Sequence, residues 1–174
     1  RLEIIPEQAA KDINEFARFD VKNIEKIESR THHDVIAFLT EVSSYLGGSS
    51  KYLHYGLTSS DVGDTALSLQ ILDAAGIILK KTAKLYQILK SQAKKYRDTV
   101  MVGRTHGVHA EPVTLGFKFT VWAFEMKRNI ERLSQAKDSC GYGKISGAVG
   151  TYANTSPEIE AGVCKILGLK PSPA

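Results

Sequence analysis

Cysteine is nearly absent from these 174 residues: there are two, Cys140 and Cys164, in no metal-ligand spacing. That excludes a thiolate cluster or a disulfide framework and points to reduced thiols in a cytoplasmic protein. A signal-peptide pattern is also lacking, and no apolar run reads as long enough to span a bilayer, so no membrane association is expected. Phosphate-cradling fingerprints are missing too. "GYGKISGAVG" has the glycines but fits neither the dinucleotide nor the P-loop pattern, and it follows a helix rather than a strand. The surplus charge of +4, with a pI near 9.0, comes mostly from lysines between residues 80 and 97. Aromatic residues are not interleaved with them, so nucleic acid is not an expected partner, whereas an anionic small substrate is compatible. Strand signals are almost absent.

What is present is helix. With 43% hydrophobic and 24% charged residues the chain has enough apolar material for a core and no signature of disorder. Pro6 suits the first turn of a helix to about residue 17, and Asp20 caps a second to about Ser29. Thr31-His32-His33-Asp34 resembles a capping box for a third helix, whose stripe of Val35, Ile36, Phe38, Leu39, Val42 and Leu46 ends at Gly47-Gly48. Residues 49–57 form a linker. From Thr58 a long periodic apolar pattern runs to about Tyr96, a helix of roughly 55 Å at ~1.5 Å per residue. A second long helix is expected from Pro112 to about Lys137, and Ser156-Pro157 opens a last short one that Gly168 closes. The fold class is therefore all-α: a small N-terminal helical domain over residues 1–57, then the first long helices of a central bundle over residues 58–174. Two helices apolar on most sides cannot satisfy one another, so further helices are expected to complete the core. The start at Arg1 and the close on "LKPSPA" suggest a piece of a longer protein.

The five histidines, His32, His33, His54, His106 and His109, gather near residue 58 and in the connection between the long helices. His32 and His33 at a helix start could be solvated, and His54 between Tyr52 and Tyr55 could be an ordinary packed histidine. His106 differs, because its neighbours are glycines, Thr105 and Arg104, which leave backbone N–H groups free and let a ligand approach. His106-x-x-His109-x-Glu111 contains ligand types suited to zinc. The helical spacing of two histidines four apart with a glutamate between them is not matched, so no metal site is expected.

"THHDV", "YLHYGLTSSDVGDTA" and "GRTHGVHAEP", in that order and on a helical background, resemble the adenylosuccinate lyases of the fumarase/aspartase superfamily. The likeness extends through "GKISGAVGTYAN" and so covers nearly the whole chain. The "GRTH" element is superfamily-wide, whereas "GVHAEP", "HDV" and "HYGLTS" narrow the match to this branch. Within the superfamily, argininosuccinate lyases are the nearest alternative, and the rivals from other classes are a non-catalytic helical oligomerisation module and a metal-dependent hydrolase.

The resemblance implies a homotetramer with active sites shared between subunits, and no metal or organic cofactor. It implies β-elimination of fumarate from adenylosuccinate, giving AMP, and from the succinylaminoimidazole carboxamide ribotide (SAICAR) of purine synthesis. It makes His106 the general acid, Thr58 and Ser59 the contacts to the succinyl carboxylates, and His32, His33, Asp34 and His54 further substrate-binding residues. The catalytic base of the family resembles a serine on a mobile glycine-rich loop far downstream, outside these 174 residues. The chain by itself is therefore expected to be inactive.

Overall fold

The computed structural model describes residues 4–173. Six α-helices dominate: α1 Glu7–Phe16, α2 Val21–Thr31, α3 Asp34–Ser43, α4 Ser59–Lys95, α5 Leu115–Ser139 and α6 Pro157–Leu167. A 3-10 turn of helix, Gly47–Tyr52, follows α3. The helical expectation thus holds for the bulk of the chain. The local signals behave as read at Asp20, whose carboxylate accepts from the Lys22 N–H at 2.8 Å, and at Gly168, which closes α6 with φ of 71°.

Three expectations are corrected. The cap of α3 is His33, not Thr31: its Nδ1 accepts from the Ile36 N–H at 3.4 Å, while Thr31 belongs to the last turn of α2. The stretch between the long helices is a β-hairpin of β1 Val100–Thr105 and β2 Val108–Thr114, so Pro112 sits in a strand opposite Val102 and does not start a helix. Helix α5 begins at Leu115, with the Thr114 hydroxyl accepting from the Phe117 N–H at 3.1 Å. Finally, α4 contains an 18-residue window of mean hydropathy 1.4 and is long and apolar enough, by length and composition, to cross a bilayer. Its apolar half carries Asp64 and Asp73, each costing about 2.5–3.5 kcal/mol at mid-bilayer, which suits a helix covered by other helices instead.

Contacts divide the chain into two compact units, one made of the segment up to Leu67 together with that from Tyr142 onward, the other Ser68–Gly141. In the first, Ala9, Val35, Ala37, Val42, Leu46, Ile145, Cys164 and Leu169 form the buried core. Buried Glu41 on α3 accepts from Tyr45 Oη at 2.8 Å and from the Asp20 N–H at 3.3 Å, tying the start of α2 to α3. The end of the chain returns through β4 Lys170–Pro171, which pairs in parallel with β3 Tyr142–Gly143.

In the second unit α4 and α5 run antiparallel through a close contact at Gly116. A Cβ there would lie 2.5 Å from the Ala93 carbonyl oxygen and 2.7 Å from Arg97 Cα, and the Gly116 N–H donates to the Tyr96 carbonyl at 2.8 Å. Only glycine lets the two backbones meet this closely, and it seats the Tyr96–Phe119 stack beside them. Ala75, Leu89 and Ala123 are buried, but Ile77 and Phe117 are each 60% exposed and Phe124 is 59% exposed. The apolar surplus of these helices is therefore uncovered among the described residues. Gly116→Ala is expected to cost ~1–3 kcal/mol through overpacking against unyielding backbone. Thermal unfolding followed by far-UV circular dichroism should show a midpoint lowered by several degrees; an unchanged midpoint would mean the helices separate at no cost.

Candidate functional site

The hairpin turn consists of two residues, His106 and Gly107, closed by the Thr105–Val108 pair, with φ of 51° and 76°. Positive φ at both central positions is the mark of a type I′ turn, whose twist matches that of the flanking strands. Glycine takes this conformation freely, and histidine tolerates it better than most side chains. The turn places His106 at the exposed tip, where its ring makes no hydrogen bond among the described residues. His109 and Glu111 lie on β2, likewise exposed.

Two more histidines share this left-handed conformation: His32 with φ of 52° and His54 with φ of 63°. His32 ends α2, its N–H donating to the Glu28 carbonyl at 2.8 Å and its ring without a partner among the described residues. His33 follows and caps α3. Its Nδ1 accepts a backbone hydrogen bond and so carries no proton there, which leaves Nε2–H as the outward donor. Asp34 Oδ1 lies 3.4 Å from the same Nδ1 and accepts from the Val35 N–H at 2.7 Å. Capping Ile36 and pairing with Asp34 are therefore exclusive roles of one nitrogen.

His54 is not the ordinary packed histidine that its tyrosine neighbours suggest. Its Nε2 is buried without a hydrogen-bond partner among the described residues, as is the Thr155 hydroxyl. Both residues line an open cleft of about 1460 Å³ together with Tyr52, Leu57 and Ile145. An unsatisfied buried nitrogen costs about 1–3 kcal/mol, and a ligand or further chain entering the cleft would relieve it.

Thr58 and Ser59 stand at the N-terminus of α4, with hydroxyls that have no partner among the described residues. Beneath them lies a feature that sequence reasoning missed. Asp61, fully buried at 0% exposure, accepts from the Thr58 N–H at 2.9 Å, from Lys144 Nζ at 2.7 Å, and from the Ser146 and Gly147 N–H groups at 3.2 and 3.1 Å. Burial alone would raise the Asp61 carboxyl; the Lys144 hydrogen bond, the backbone donors and the Lys144 charge outweigh it and hold the group below its usual 3.8. Lys144 is fixed in turn by Thr65, whose hydroxyl lies 3.1 Å from both its N–H and its carbonyl. A second buried carboxylate, Glu160 on α6, accepts from the Ile145 N–H and from Tyr152 Oη, each at 2.7 Å. That hydrogen bond pushes the Tyr152 phenol up, while burial followed by the Glu160 charge pushes the Cys164 thiol up. The signal in the sequence was the triplet of Asp61, Thr65 and Lys144, too widely spaced to read without the fold.

His32, His33, Asp34, His54, Thr58 and Ser59 belong to the first unit and His106 to the second. Among the described residues no group of three or more His, Cys, Asp or Glu side chains is placed to hold a metal ion.

A family model described as lyase matches residues 3–173. Among curated relatives, the adenylosuccinate lyase of Synechocystis sp. is 51% identical over 98% of this chain and 39% of its own length. That of Bacillus subtilis is 53% identical over 99% of this chain and 40% of its own, and that of Thermotoga maritima 48% over the same shares. The chain thus spans about 40% of the length of the curated relatives it matches. Among solved structures, the fumarate lyase of Mesorhizobium sp. BNC1 superposes with a TM-score of 0.91 at 32% identity, over 99% of this chain and 42% of that one. The β-carboxy-cis,cis-muconate cycloisomerase of Acinetobacter calcoaceticus gives 0.91 at 29%, over 99% and 43%. The resemblance read from three short motifs is borne out along the whole chain.

Because the Asp61 carboxyl is held below 3.8, the stability it contributes is fully present above that value and is lost as pH falls through its lower folded value. Asp61→Asn should cost about 3 kcal/mol near neutrality, the lower end for breaking a buried pair, and should blunt the acid side of the stability profile below about pH 4. Unfolding midpoints of both proteins between pH 3 and 7 check this; parallel profiles would remove Asp61 as the acid-sensitive group.

Proposed function

This chain belongs to the lyase family, and from that membership we propose that the protein containing it releases fumarate by β-elimination from adenylosuccinate, giving AMP, and from SAICAR. The observation that carries the reading is the 48–53% identity to three adenylosuccinate lyases over nearly the whole chain. Identity to the solved fumarate lyase and muconate cycloisomerase is lower, at 32% and 29%.

The chemistry needs two proton movements. A base takes the carbon-bound proton beside a carboxylate, the C–N bond breaks as the C=C bond forms, and an acid protonates the departing nitrogen. His106 suits the acid role: imidazole is the side chain best fitted to hand over a proton in general acid catalysis, and the ring at the hairpin tip has no hydrogen-bond partner among the described residues. Charge develops on the substrate carboxylate as the proton leaves. Thr58 and Ser59 would meet it with hydroxyls, with first-turn N–H groups that lack intrahelical acceptors and with the positive end of α4. The outward Nε2–H of His33 is a donor for the nucleotide side, with His32 and Asp34 next to it, and the orphaned Nε2 of His54 supplies another polar contact. The base comes, by family resemblance, from a downstream loop, so the 174 residues alone turn over no substrate. Uncovered apolar residues on α4 and α5 support assembly with further helices, and by family resemblance that assembly is a homotetramer in the cytoplasm.

In the full-length protein His106→Asn is the sharpest test, because asparagine also accepts the left-handed turn while removing the titrating ring. Turnover of adenylosuccinate, followed by its absorbance, should fall at least ~10²-fold in kcat with an unchanged circular dichroism spectrum. Near-normal kcat would take His106 out of the acid role. The isolated 174-residue chain should show no loss of absorbance, and measurable turnover by it would relocate the base to this segment.

A further inference from the structure

We propose that Asp61 and Lys144 are a positioning pair for substrate binding, in which Lys144 neutralises a buried anion so that the N-terminus of α4 stays receptive to the carboxylates of the substrate. The proposal rests on the assignment of Thr58 and Ser59 made above. Asp61 occupies the first turn of α4, where the helix favours one negative charge, and it already takes the Thr58 N–H at 2.9 Å. Left uncompensated, a fully buried carboxylate within one turn of Thr58 and Ser59 would repel any second anion approaching them. Lys144 Nζ, 2.7 Å away and 28% exposed, is the one charged group in contact with Asp61 among the described residues; the other partners are backbone N–H groups of Thr58, Ser146 and Gly147.

Nothing about Lys144 is left loose. Thr65 holds its backbone from both sides, and its ammonium also donates to the Gly147 carbonyl at 3.0 Å. Glu160 fastens the next residue, Ile145, so the ammonium is delivered to Asp61 from a loop clamped by two buried carboxylates. The hydroxyls of Thr58 and Ser59, by contrast, have no hydrogen-bond partner among the described residues. Charge is cancelled below the helix terminus while donors are kept free above it.

The test uses the full-length protein and adenylosuccinate. Lys144→Met should raise KM at least ~10-fold with kcat changed less than ~3-fold, the signature of lost uniform binding. Lys144→Arg, which keeps the charge, should recover most of that loss, and so should adding Asp61→Asn to Lys144→Met, because the repelling anion is then gone. A merely structural latch would leave the double variant no better than Lys144→Met, and that result overturns the proposal. If Lys144→Met does not fold, Asp61→Asn alone decides: with the lysine charge unopposed its KM should fall below the wild-type value, and an equal or higher KM overturns the pair. Wild-type protein that does not turn over adenylosuccinate overturns the functional reading and the pair together. Wild-type turnover with a KM indifferent to Lys144→Met overturns the pair alone.

Discussion

A carboxylate cannot be buried without partners, and Asp61 is the point where this protein meets that constraint most fully. Its two oxygens collect an ammonium and three backbone N–H groups from segments more than 80 residues apart in sequence. Satisfying it dictates where the 144–147 loop must lie, that loop fixes Ile145 in the core, and Glu160 then finds its own partners on the same loop. The start of α4, the glycine-rich connection and α6 are thus one hydrogen-bonded construction, with Thr58 and Ser59 at the end of it where α4 begins.

A second constraint shapes the histidines. Three of the five lie in the left-handed region, where a side chain costs backbone energy, and each does so at a place where the chain must turn: the end of α2, the turn after the 3-10 helix, and the hairpin. A fourth, His33, uses one ring nitrogen to start a helix. These positions keep imidazoles out of regular helix faces, where packing would claim them. None of the four rings is used up by the fold on every polar atom, which is what a set of substrate contacts requires.

The long helices tell the opposite story, since their chemistry is not spent at all. An apolar residue left in water forfeits about 25 cal/mol for each Å² it could have buried, and α4 and α5 expose several such residues around their circumference. A chain that spans about 40% of its relatives' length would be expected to hold helices whose neighbours are elsewhere. The apolar half of α4, with Asp64 and Asp73 inside it, fits that setting better than a lipid one.

Local chemistry was legible in the residues themselves. Asp20, Pro157 and Gly168 act within one turn of where they stand, the 3.6-residue period of α4 needs only its own segment, and three short motifs were enough to reach the lyase family because each is contiguous. The hairpin was also written locally, in the His106-Gly107 pair between Val100 and Val102 on one side and Val113 and Thr114 on the other, where a helix start at Pro112 was expected instead. What no stretch of sequence determined was the set of pairings at long separation: Asp61 with Lys144, Thr65 with the same lysine, and the burial that orphans His54 Nε2. Each depends on which groups lose water together, and desolvation is a property of the packed structure, not of the chain.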